Sequence, residues 1–146
     1  MELGSGIGYL GISLMKLMHL KKLIITDHHQ SVLDILEKNV KANDIPKTMH
    51  EIKLLDWEQD IQEDDIEQID MVIGSDIVFD SRIIPGLVST IKLALQKAEI
   101  AIIANVIRNE DTISEFQKSL SKHDLDFKVE IFDKEQMLLY QIRNKN

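Results

Sequence analysis

Four short clusters in this chain have residue types and spacings that could do chemistry. Gly4, Gly6 and Gly8 follow Glu2-Leu3 and precede an apolar run with helical spacing. A strand, a tight glycine turn and a helix form a cradle in which a ligand can approach the backbone closely. A nicotinamide fingerprint would want glycines at positions matching 4, 6 and 9, and position 9 is Tyr9. Asp27 ends a β-branched run 19 residues after Gly8. An acid there can accept two hydrogen bonds from a ribose diol, or serve a helix start through the macrodipole. Asp56-Trp57 ends a third run and carries the only tryptophan. An indole can stack on adenine while Asp56 or nearby backbone bonds its amino group, although a lone Trp also serves as core. Ser75-Asp76 ends a fourth run, with Phe79 and Asp80 behind it. Asp76 is either an acid facing a catalytic crevice or a loop and cap acid.

Strands and helices must position these clusters. Leu10, Ile12, Leu14, Leu17 and Met18 recur at roughly helical spacing. Leu23–Thr26 reads as a buried strand. Ser31 is a candidate N-cap for a helix whose stripe is Val32, Leu33, Leu36 and Val40, and Asn43-Asp44 ends it. His50–Leu55, Met71–Gly74 and Ile100–Ala104 read as further strands. Ile83–Leu95 reads as a helix that tolerates Pro85 in its first turn, and Asp111–Leu120 as another. Phe127–Phe132 and Met137–Ile142 alternate and lie close together, which suits an antiparallel pair at the end of a sheet. Strands alternating with helices imply an α/β fold with a mostly parallel sheet, in which ligands bind beyond the carboxyl ends of the strands. All four clusters fall at such ends.

Composition narrows the classes. The chain has 146 residues, a prior for one domain spanning 1–146. It is 44% apolar and 29% charged, which reads as globular. Its net charge of −8 argues against nucleic acid and anionic membrane as partners. The absence of cysteine excludes disulfides, Cys-ligated zinc and a cysteine nucleophile. No apolar run approaches a membrane span and no signal peptide is recognisable, so a cytoplasmic protein is expected. The five histidines, His19, His28, His29, His50 and His123, form no i, i+4 pair, and no metal is expected. Residues 58–70 hold seven acids and no base, a solvated loop or a docking surface for a basic protein.

Taken in order, these residues resemble the seven-strand S-adenosylmethionine-dependent methyltransferases. Glu2-Leu3-Gly4-Ser5-Gly6, Thr26-Asp27, Val32-Leu33 with Asn39-Val40 and Asn43, Leu55-Asp56-Trp57 and Ser75-Asp76-Ile77-Val78-Phe79 are similar to the protein-lysine methyltransferase group. Asp27–Leu33 and Val106-Ile107-Arg108-Asn109 with Phe116 are most similar to the elongation factor 2 lysine methyltransferases within it. The resemblance spans nearly the whole chain. The glycine motif is not specific to the group; the aspartate-tryptophan pair and the acid-x-x-aromatic motif are.

The resemblance implies a Rossmann-like seven-strand fold, S-adenosyl-L-methionine as cofactor, and direct in-line methyl transfer to a lysine of elongation factor 2 by a monomeric enzyme. It implies that Glu2, Gly4, Ser5 and Gly6 line the methionine and ribose portion. Asp27 would hold the ribose hydroxyls, Asp56 and Trp57 would flank the adenine, and Ser75 would lie beside the sulfonium. Asp76 and Phe79 would match the acid-x-x-aromatic motif that positions the lysine. Family members often have Tyr at that last place, so the ring remains for cation–π contact while the hydroxyl is lost. The chain begins inside the first strand, with about 10 Å of it before Gly4 at ~3.3 Å per residue. The family carries a substantial region before that strand, so an N-terminally truncated domain is expected. A non-catalytic interaction module, or transfer to another protein or a small molecule, are the alternatives.

Overall fold

Every residue of Leu23–Asp27 is buried, as expected of a β-branched run in a parallel sheet covered on both faces. This run is the second strand of a computed structural model that describes residues 1–59, 61, 66, 68–132, 134 and 136–145. The chain divides into two compact units, Met1–Asp56 and Trp57–Asn146.

The first unit runs β1 (Glu2–Leu3), α1 (Tyr9–Leu17), β2 (Leu23–Asp27), α2 (Gln30–Ala42), a 3₁₀ turn over Lys47–Met49, and β3 (His50–Leu54). Its strands are parallel in the order β3-β2-β1. The β2–β3 register pairs Leu23 with His50 through Asp27 with Leu54, which places the Asp27 strand end beside the start of Leu55-Asp56. Thr26 is fully buried, and its hydroxyl donates to the Glu2 carbonyl at 2.7 Å. Helix α2 buries Leu33, Leu36 and Val40, the predicted stripe. It begins one residue before Ser31: His29 occupies the N-cap position without a side-chain cap bond. The expected Ser31 cap is absent, and the local acid is engaged instead: the Asp27 carboxylate accepts the N–H of His29, two residues on, at 3.1 Å. Asn43 ends the helix, as the sequence implied.

The second unit runs β4 (Met71–Ser75), a 3₁₀ turn over Ser81–Ile83, α3 (Ile84–Ala94), β5 (Ile100–Val106), α4 (Glu110–Lys122), β6 (Leu125–Phe132) and β7 (Met137–Asn144). Its strand order is β4-β5-β7-β6, with β4 and β5 parallel and β7 antiparallel to both β5 and β6. The predicted C-terminal antiparallel pair is therefore present. Helix α3 carries Pro85 in its first turn, where a missing N–H costs nothing. Six of its residues, Ile84, Leu87, Val88, Thr90, Ile91 and Ala94, are buried. Phe116 of α4 meets the Tyr140 ring edge-on at 5.3 Å, and both are fully buried. Of the acidic stretch 58–70, positions 60, 62–65 and 67, which hold five of its seven acids, lie outside the described residues.

Candidate functional site

The glycine turn is the first group of candidates in the first unit. Gly4, Gly6 and Gly8 have φ of 60°, 53° and 90°, a left-handed path that side chains resist. The turn is pinned to the end of β2 twice. Ser5 N–H donates to the Thr26 carbonyl at 2.9 Å, and Gly6 N–H donates to Asp27 Oδ2 at 3.0 Å. A Cβ on Gly6 would meet nothing within 4 Å, so the concave side of the turn is open. A Cβ on Gly8 would sit 2.2 Å from Leu36 Cδ1, so this glycine lets α2 approach.

Asp27 is 8% exposed, and both its oxygens are engaged: Oδ2 with Gly6 and Oδ1 with His29. The helix-start role left open by the sequence is therefore filled. A carboxylate offers about four lone-pair sites, so two remain for hydroxyl donors. Ligand atoms of Asp27, His28 and His29 also lie within 4.8 Å of one another. The Asp27 member of that group is the carboxylate already tied to the turn.

Glu2 is 2% exposed, and its Oε2 is buried with no hydrogen-bond partner among the described residues. Burial pushes its carboxyl from an ordinary 4.5 up to about 7, against the opposing pull of the Gly11 N–H and the N-terminal charge. A Cβ on Gly11 would lie 2.3 Å from that oxygen, so Gly11 makes the room Glu2 occupies. The sequence reading passed over Gly11, although a glycine inside a helical run is a signal of close approach.

Asp56 ends the first unit, and the second unit holds the remaining candidates. Trp57 is half-buried, and its Nε1 is buried without a hydrogen-bond partner among the described residues. A Cβ on Gly86 would lie 2.1 Å from the Trp57 carbonyl oxygen, which seats the start of α3 against this segment. Ser75 ends β4 opposite Ala104. Asp76 follows with φ of 57°, its N–H donating to the Ala104 carbonyl at 2.7 Å. Its Oδ2 pairs with the Arg108 guanidinium, while its Oδ1 is buried with no hydrogen-bond partner among the described residues. Phe79 is 54% exposed, so its ring is open to a ligand rather than spent in the core.

Asn105 is the residue that sequence reasoning missed. It is 1% exposed on β5. Its Oδ1 accepts the Val78 N–H at 2.8 Å, and its Nδ2 donates to the Val78 carbonyl at 3.1 Å and the Val106 carbonyl at 2.9 Å. It thereby clamps the loop that carries Asp76 and Phe79. An asparagine inside an apolar strand was the available signal, since a buried amide must find partners.

Comparison with solved structures defines the class. Over 99% of this chain and 50% of the other, the fold superposes on the S-adenosylmethionine-dependent methyltransferase SibL with a TM-score of 0.75 at 10% identity. The fold is the Rossmann-like, seven-strand methyltransferase fold expected from the sequence. Residues 1–123 match the family described as lysine methyltransferase, and the chain belongs to that family. Among curated relatives, the protein-lysine N-methyltransferase EFM3 of Saccharomyces cerevisiae is 28% identical over 84% of this chain and 38% of its own length. The human protein-lysine N-methyltransferase EEF2KMT is 27% identical over 97% of this chain and 48% of its own length. The chain thus spans about half the length, or less, of the relatives it matches. Among the described residues, no helix is long and apolar enough to cross a membrane.

Proposed function

We propose that the protein is an S-adenosylmethionine-dependent protein-lysine N-methyltransferase that modifies a lysine of elongation factor 2, acting as a cytoplasmic monomer. The observation that carries this reading is the left-handed glycine turn bonded through Gly6 to the Asp27 carboxylate, in a chain of the lysine methyltransferase family. When bound, the cofactor supplies an electrophilic methyl group on a sulfonium centre. Gly4, Ser5 and Gly6 would present backbone to it across the open side of the turn. Asp27 would use its remaining lone pairs on the ribose hydroxyls. The partnerless Glu2 Oε2 suits the cationic amino group of a methionine moiety, and the Trp57 ring with Asp56 suits the adenine. Ser75 would border the methyl-bearing end, while Asp76 and Phe79 would orient the incoming lysine.

Support for elongation factor 2 is narrower. Of the residues that carry that resemblance, Phe116 and Leu33 are core, and Asn109 caps α4 by accepting from Asp111 N–H. Exposed His28, His29 and Arg108 are left as groups that could meet a substrate. Two measurements test the reading. Isothermal titration of S-adenosylmethionine and S-adenosylhomocysteine into the 146-residue chain is expected to show binding of both. Labelled methyl from the cofactor is then expected in purified elongation factor 2. A folded chain that binds neither ligand overturns the cofactor assignment, and label in another protein alone reassigns the substrate.

A further inference from the structure

We propose that Arg108 is a positioning residue for the acceptor lysine: it compensates the charge of Asp76, so that this carboxylate orients the incoming amine without trapping it as an ammonium ion. The inference deepens the lysine-methyltransferase reading above and rests on it.

The placement of Arg108 is built into the fold. On one side, Ile107 N–H donates to the Gln136 carbonyl at 2.8 Å, tying the chain to the β6–β7 turn. On the other, the Asn109 side chain accepts from Asp111 and Thr112 N–H at 2.8 and 3.4 Å and starts α4. A single residue between two anchors has little freedom, and its guanidinium meets Asp76 Oδ2. An ordinary surface arginine gives up side-chain entropy for a pair of this kind and gains little. Here the backbone part of that cost is already met. Asp76 is equally constrained, by its left-handed φ of 57° and its bond to Ala104. One carboxylate oxygen is thus occupied by a cation, while the other is buried and has no partner among the described residues.

Chemistry gives this division a use. A lysine accepts a methyl group only as a neutral amine, with its proton gone to solvent and its electron pair left on nitrogen. A lone carboxylate beside the amine favours the charged form and opposes that loss. A carboxylate whose charge is balanced by a guanidinium can still accept an N–H at a remaining lone pair, with much less hold on the ammonium. The other charges described on the flanking segments are Asp80 and Arg82, which pair with one another, Glu110 and Asp111 in the first turn of α4, and Lys134 on the β6–β7 turn. Among the described residues, Arg108 forms the ion pair with Asp76.

The test uses n-butylammonium chloride, the alkyl-ammonium end of a lysine, titrated into the full chain at low salt while the Asp76 amide resonance is followed. Arg108→Ala and Arg108→Gln are expected to bind the probe about three- to fivefold more tightly than the parent, the scale of a partly exposed charge pair. Arg108→Lys is expected to return to the parent affinity. In methyl transfer to elongation factor 2, Arg108→Ala is expected to lower KM and kcat together at pH 7, with kcat recovering as pH rises. A residue that merely supported the loop would weaken probe binding. A simple latch over the site would tighten binding while kcat rose. Probe affinity that is unchanged, weaker or absent in every variant overturns the inference. Because the probe titration requires no turnover, an inactive parent would count against the proposed function alone.

Discussion

Replacing Asn105 with leucine tests how the loop after β4 is held. Leucine nearly matches asparagine in size but offers no hydrogen bonds, so three are lost, two of them to the main chain of Val78. Val78 is 2% exposed, and water cannot readily replace the amide. A buried polar group left unpaired costs about 1–3 kcal/mol, so the N–H and C=O of Val78 together give about 2–6 kcal/mol. Burying an apolar side chain offsets about 1–2 kcal/mol of that. Taking the middle of each range, the net expectation is a loss of about 2–3 kcal/mol, or about 5–10 °C in Tm for a chain of this length. The assay is urea and thermal unfolding followed by circular dichroism, beside titration of S-adenosylhomocysteine. Asn105→Asp is the companion. It keeps the acceptor for Val78 N–H but sets a carboxylate against two carbonyls, so it is expected to be at least as damaging at pH 7 and to recover in acid. Ligand binding is expected to persist in Asn105→Leu while methyl transfer falls, because the loop bearing Asp76 and Phe79 loses its clamp. An Asn105→Leu chain within about 0.5 kcal/mol of the parent would refute the reasoning, since ordinary surface substitutions move stability by no more than that.

Asp27→Ala removes both N–H bonds that tie the glycine turn and α2 to β2, and is expected to cost about 2–4 kcal/mol of stability as well as cofactor affinity; an unchanged melting curve with lost affinity would confine Asp27 to ligand contact. Gly8→Ala places a methyl group 2.2 Å from Leu36 Cδ1 at a φ of 90°, so unfolding should show a loss of about 1–3 kcal/mol; equal stability would mean that the turn relaxes. Glu2 has a folded-state pKa raised from 4.5 to about 7 by burial. The folded state then holds a proton that the unfolded chain releases, so stability is greatest below about pH 4.5 and declines up to about pH 7, by about 3 kcal/mol in all. Glu2→Gln should abolish that decline in urea titrations at successive pH values, and a parent whose stability is flat over this window contradicts the assigned burial.

Much of this protein is legible in its order of residues. The β-branched runs, the 3.6-residue stripe of α2 and the alternation of the last two strands are local patterns, and burial in the structure follows them except on β3 and β6, where Leu54 and Ile131 are exposed. The glycine turn, Asp27, Asp56-Trp57 and Ser75-Asp76 could be singled out because a strand end is a short-range feature with recognisable chemistry. The start of α2 could not. Ser31 looks like a cap, but the Asp27 carboxylate accepts the His29 N–H two residues on, and a local bond of this kind competes with a cap without leaving a periodic signal.

Sequence by itself determined the element order, the alternation that makes an α/β fold, and which residue types stand at the strand ends. Tertiary structure alone decided which of them work together. Gly6 and Asp27 are 21 residues apart, Asp76 and Arg108 are 32 apart, and Asn105 reaches Val78 across 27. Periodicity carries no record of such pairs. A polar side chain has no preferred partner along the chain, and only strand register, turn geometry and the need to satisfy buried polar groups bring one to it.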